Sequence, residues 1–173
     1  MKLFWAVLGG ACCTGHILVA EPQITYNSFG MPGLIDMPSA QSAPDAELIF
    51  SVSQSGKSLR NTLTFQISPR LTGAFRYSAI GRPTDTLYDR SFDLRYRLLD
   101  ETERRPSVAV GLQDFIGTGV YSGEYVAASK NLGTVVATAG IGWGRLGSHN
   151  GFDNPLGLIS SRFDPRATGY TGT

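Results

Sequence analysis

The 173-residue sequence lacks an excess of either charge: 15 Lys and Arg balance 14 Asp and Glu, for a formal net charge of +1. That balance argues against a general polyanion-binding surface and so against nucleic acid as a partner. Thiols are absent beyond the first residues, since both cysteines, Cys12 and Cys13, fall in the N-terminal stretch. The rest of the chain therefore offers no disulfide and no thiolate metal ligand. Histidine is nearly missing: outside that stretch only His149 occurs, in a Gly/Asn-rich loop with no nucleophile motif beside it. A solvated loop histidine is the plainer reading than one member of a dispersed Ser/His/Asp set, so no catalytic residue, metal site or cofactor is assigned. No apolar run beyond the N-terminus reaches the ~20 residues of a membrane helix, so any membrane contact must be made by strands.

The N-terminus, MKLFWAVLGGACCTGHILVAEPQ, has Lys2, an apolar run from Leu3 and a small residue at Ala20 before Glu21-Pro22. This is the order of a secretory signal peptide over residues 1–20, cut after Ala20. A lipoprotein reading would acylate Cys12 or Cys13, although Gly9-Gly10-Ala11 lacks the usual leucine three places ahead. The alternative is that both cysteines are small apolar residues of the signal. Residues 21–45, rich in Gly, Pro, Ser and Asn, read as an irregular periplasmic lead-in, and 46–173 as a partial barrel domain.

From Ala46 onward apolar and polar residues alternate. In SFDLRYRL, Phe92, Leu94, Tyr96 and Leu98 take one face of an extended chain and Ser91, Asp93, Arg95 and Arg97 the other. Similar segments at 46–54, 62–67, 71–79, 91–100, 107–115, 122–130 and 134–144 predict seven strands of an all-β fold. In the sixth, Tyr125 and Ala127 are assigned to the apolar face and Glu124 and Lys130 to the polar one. Short connections (Ser68-Pro69-Arg70, Asn131-Leu132-Gly133) tend to alternate with longer ones (SGKSLRN, IGRPTDTLYDR), as in an antiparallel up-and-down outer-membrane β-barrel. Tyr77, Tyr88, Phe115, Tyr121 and Trp143 fall near strand ends, where an interfacial girdle would sit.

Energetics restrict which face meets what. An arginine facing lipid near the midplane costs about 2–4 kcal/mol, so in a barrel Arg76, Asp93, Arg95, Arg97, Glu124 and Lys130 must face the lumen. In a secreted or periplasmic soluble β-sandwich, a glycan binder for instance, the same charges would simply be solvated. Alternation alone leaves both open. GWGRLG (142–147) matches G-x-G-x-x-G, but the turn-forming SHNGFDNPLG that follows cannot open the helix that phosphate binding needs. Its glycines are expected either to leave room for Arg95 or Arg97 or to serve close backbone packing. Asp100, Glu101 and Glu103 with Arg104 and Arg105 read as a solvated charged turn.

Taken together, GLIDMPSA, YDRSFDLRYRLLDE, AVGLQDFIGTGVYSGEYVAASK and GWGRLG resemble the YjbH-type family of outer-membrane proteins associated with exopolysaccharide and capsule production. The resemblance covers about residues 27–165 and implies a bacterial outer-membrane β-barrel that works with outer-membrane lipid, exopolysaccharide and other export-system proteins. It brings no catalytic residues. Family members are several times longer, so the chain is expected to be an N-terminal fragment whose barrel is closed by missing sequence or by another chain.

Overall fold

A computed structural model describes residues 23–147 and 152–163. The expected signal peptide, Cys12, Cys13 and His149 lie outside the described residues. Among the described residues nine strands form: β1 (Gly33–Leu34), β2 (Met37–Pro38), β3 (Leu48–Ser55), β4 (Ser58–Ser68), β5 (Leu71–Gly81), β6 (Thr86–Leu99), β7 (Ser107–Ile116), β8 (Gly123–Asn131) and β9 (Val136–Gly144). β1 and β2 make a small hairpin, and β3 to β9 make one antiparallel sheet in sequence order. All seven strands expected from alternation are present. Among the described residues β3 and β9 do not pair, so the sheet is open, with two free edges.

Strand β6 shows why the chain extends. Its polar side chains Asp89, Ser91, Asp93 and Arg95 are buried, while Tyr88, Phe92, Tyr96 and Leu98 are exposed. The same inversion runs through β4, where Ser58, Arg60, Thr62, Thr64 and Gln66 are buried and Leu59, Leu63, Phe65 and Ile67 are exposed. On the edge strand, Leu48, Phe50 and Val52 are 60–66% exposed. Outward apolar rows of this kind on neighbouring strands mark a surface that meets something other than bulk water.

The longer connections expected from sequence are not loops. SGKSLRN contributes Ser58 to Asn61 to β4, leaving Gly56-Lys57 as the turn, and IGRPTDTLYDR is consumed by β5 and β6 except for residues 82–85. The alternation of loop lengths therefore disappears; the remaining longer links are 100–106 and 117–122. The reason is that Ser58, Arg60, Asp89 and Ser91 continue the buried polar rows of their strands, and pairing propagates with them.

The lead-in has little regular structure beyond the β1–β2 hairpin, yet it is fixed in place. Asn27 folds it locally: its Oδ1 accepts from the backbone N of Phe29 (3.0 Å) and of Met31 (3.1 Å), an Asx-type turn. Gly30, at φ 77°, lies so close to β4 that a Cβ would stand 2.5 Å from Thr62 Cγ2. Only glycine allows both the left-handed backbone and that approach. Thr64 Oγ1 donates to Gly30 O at 2.7 Å, and Ala40 N to Ser129 Oγ at 2.9 Å, so the segment spans the buried face from β4 to β8.

Candidate functional site

The polar face of the sheet and the lead-in form one site. Arg76, projecting from β5, pairs in bidentate fashion with Asp93 of β6: Nη1 to Oδ2 and Nη2 to Oδ1, both 2.8 Å. Arg76 Nη1 also donates to Phe29 O at 3.1 Å, and Asp93 Oδ1 accepts from Asp114 N at 2.9 Å. One ion pair thereby joins the sheet, the lead-in and the end of β7. Arg95 is fully buried and spends its guanidinium on neutral oxygens: Nε on Ser39 O (3.2 Å), Nη1 on Ser42 Oγ (3.3 Å) and Thr72 Oγ1 (3.2 Å), Nη2 on Gln41 O.

Phe29 is the anchor of the lead-in. Its ring meets the guanidinium carbons of Arg145, Arg60 and Arg76 at 3.9, 4.4 and 5.0 Å from its centroid, and Tyr121 edge-on at 5.3 Å. Phe29, Tyr121 and Ile80, with Leu87 and Val120, form a small apolar core inside an otherwise polar face. Cation–π contacts made away from water are worth about 2 kcal/mol each. Burial pulls the Arg145 guanidinium, just past β9, down to about 10, offset in part by Asp36 and reinforced by Arg76 and Arg60. It stays protonated at neutral pH, so the aromatic face and Gln113 Oε1, 3.0 Å from Nη2, meet a full charge. Replacing Phe29 with alanine is expected to cost about 3–5 kcal/mol as a core aromatic truncation. The measurable consequence is faster amide exchange in residues 25–40 than in β5 and β6.

Of the polar residues expected to face a lumen, Arg76, Asp93 and Arg95 lie together on the buried face of the sheet. Arg97 has the same strand parity but sits at the rim, bound to Pro69 O (2.9 Å) and Asp100 Oδ1 (3.0 Å), where Arg70 also pairs with Asp100. Glu124 and Lys130 correct the expectation, because β8 has the opposite orientation. Tyr125, Ala127 and Ser129 are buried inward, while Glu124 pairs across with Leu112 and Trp143 on the other face. Lys130 reaches the rim turn, pairing with Glu101 Oε1 at 3.2 Å and Thr102 O. The cause is Gly111 on β7, whose missing side chain admits the Tyr125 ring; a Cβ there would lie 2.2 Å from Tyr125 Cζ. Gly111→Ala should cost about 1–3 kcal/mol by overpacking, read as a lower urea midpoint.

The glycines of β9 likewise serve backbone closeness rather than Arg95 or Arg97. A Cβ on Gly140 would meet Val126 O at 2.7 Å, and one on Gly142 would meet Leu146 Cβ at 2.7 Å as the chain turns back inward. Tyr121, expected in an outer girdle, is fully buried against Phe29, and its hydroxyl shares a 2.8 Å hydrogen bond with Ser58. Tyr77 and Tyr88 do lie outward, stacked at 6.0 Å. Arg60, Asp89 and Asp114 were missed in the sequence. The first two were recoverable by extending the Thr62/Thr64/Gln66 and Ser91/Asp93/Arg95 alternations backward by one repeat. Asp114, at φ 50°, breaks the alternation and left no such signal.

Among the described residues no group of three or more His, Cys, Asp or Glu side chains gathers to hold a metal. A cavity of about 10 Å³, room for one water, lies between lead-in and wall beside Asn27, Phe29, Asp93 and Tyr125. This arrangement fastens residues 25–42 to the buried face of the sheet.

A family model described as exopolysaccharide biosynthesis protein YbjH matches residues 25–173. The uncharacterized lipoprotein YjbH of Escherichia coli (strain K12) is 32% identical over 168 residues, 91% of this chain but 24% of that protein. The chain thus spans 24% of the length of that curated relative. No solved structure matches.

Proposed function

The chain belongs to the YjbH family of exopolysaccharide biosynthesis proteins, and on that premise we propose that its sheet is part of the wall of an outer-membrane β-barrel. In this reading it is a non-catalytic component supporting exopolysaccharide secretion or modification, with its own lead-in held inside the barrel. The observation that carries the reading is the inverted burial: charged side chains such as Arg76 and Arg95 are fully buried, while rows of Leu, Phe and Val face outward. Strands β4 to β9, 9–14 residues long, approach or exceed the ~9–11 needed to cross a bilayer. Arg76, Asp93 and Arg95 then brace the lead-in rather than line an open sugar path. Closure of the barrel and the partners in export come from sequence or proteins beyond these strands.

The test is a deletion strain complemented with the full-length protein. Secreted exopolysaccharide should return, and the protein should stay in the outer-membrane pellet after alkaline carbonate extraction. Release into the wash would end the barrel reading.

A second reading, a secreted or periplasmic soluble β-sandwich that binds glycans, is favoured by a different observation. Among the described residues the sheet has two free edges, which hydrocarbon does not tolerate, and the lead-in already covers one face as a second layer would. It requires water or protein over the apolar face, and predicts recovery without detergent.

A further inference from the structure

Beyond β9, residues 152–163 fold over the outward face at one end of β8 and β9. Trp143 Nε1 donates to Phe152 O at 3.2 Å and its ring meets Phe152 edge-on at 5.3 Å. Asn154 Nδ2 donates to Glu124 Oε2 at 2.9 Å, and its Oδ1 caps the short 3-10 turn Pro155–Leu158 by accepting from Leu156 N. These contacts cover the one carboxylate that β8 places among the outward residues; Glu124 is 3% exposed. The far side of the segment is different. Leu158 and Ile159 are 93% and 78% exposed and Phe152 is 62% exposed; Ile141, on the same outward face of β9 as Trp143, is 51% exposed. A polar underside fixed to the wall at a tryptophan, with adjacent bulky aliphatics turned away from it, fits the boundary between headgroups and acyl chains.

We propose that residues 152–163 form an interfacial clamp on the lipid surface, with Leu158 and Ile159 entering the shallow acyl region and Trp143 and Phe152 at headgroup level. The inference rests on the barrel reading and adds a membrane-binding element outside the strands.

The experiment uses the full-length protein reconstituted in phosphatidylcholine vesicles that carry nitroxide quenchers at shallow or deep acyl positions. A bimane fluorophore is attached to Leu158→Cys, Ile159→Cys or Leu94→Cys, with the unsubstituted chain labelled in parallel to subtract Cys12 and Cys13. The expected result is quenching at 158 and 159 at least twofold stronger from the shallow position than from the deep one. Leu94, on the middle of the wall, should be quenched by the deep position. Quenching of 158 and 159 by aqueous iodide alone overturns the clamp, as does protection from both lipid and iodide, which would mean protein covers them. Either result with Leu94 still lipid-quenched leaves the barrel standing; loss of lipid quenching at Leu94 sinks the barrel and the clamp with it.

Discussion

Replacing Asp93 with alanine is expected to cost about 3–5 kcal/mol of stability, because it leaves the buried Arg76 charge without its carboxylate. Arg76 is fully buried, and both of its terminal nitrogens bond Asp93 at 2.8 Å, so water cannot take over that role without opening the site. The same carboxylate holds Asp114 N, and Asp114 Oδ2 accepts from Tyr121 N at 2.9 Å. The loss therefore spreads to the 117–122 link and from there to Phe29. A conservative Asp93→Asn change keeps the acceptor to Asp114 but removes the charge, and should fall between wild type and alanine. Removing both charges with Arg76→Met and Asp93→Leu should recover much of the loss, since a buried pair replaced by apolar residues of similar volume is often neutral. Urea unfolding of wild type and the three variants decides it: equal midpoints for wild type and Asp93→Ala would mean the pair contributes nothing.

The second large effect concerns the other face. Val110 stands on β7 between Tyr96 and Val126, in the centre of the outward apolar rows. If those rows meet acyl chains, Val110→Arg should destabilise the inserted protein by about 2–4 kcal/mol. If they meet water, the change should stay within about 0.5 kcal/mol, as for an ordinary surface site. The two environments are thus separated by at least about a factor of ten in the unfolding equilibrium constant. The readout is unfolding from vesicles together with the share of protein in the outer-membrane pellet. An unperturbed Val110→Arg protein found in the aqueous fraction would favour the sandwich.

Seven strands were legible because a two-residue period is a property of consecutive residues: Phe92, Leu94 and Tyr96 against Asp93, Arg95 and Arg97 need no partner to be seen. That the chain contains Arg76, Asp93 and Arg95 on one face followed from the same rule. Strand ends were less legible, because Arg60 and Asp89 lie among Gly, Lys, Pro and Asp residues that also make turns. Their strand character comes from cross-strand pairing with Ser78, which links positions far apart in the chain.

By itself, then, the sequence determined an all-β meander with segregated apolar and ionic faces, since alternation is local chemistry. Only the tertiary structure decided that the ionic face is filled by residues 23–45, that β8 turns Tyr125 inward over Gly111, and that Phe29 sits among guanidiniums from β4, β5 and the turn after β9. Those outcomes depend on which side chains from distant strands compete for one enclosed volume. Volume and charge compensation across a sheet are not encoded in any single strand's pattern.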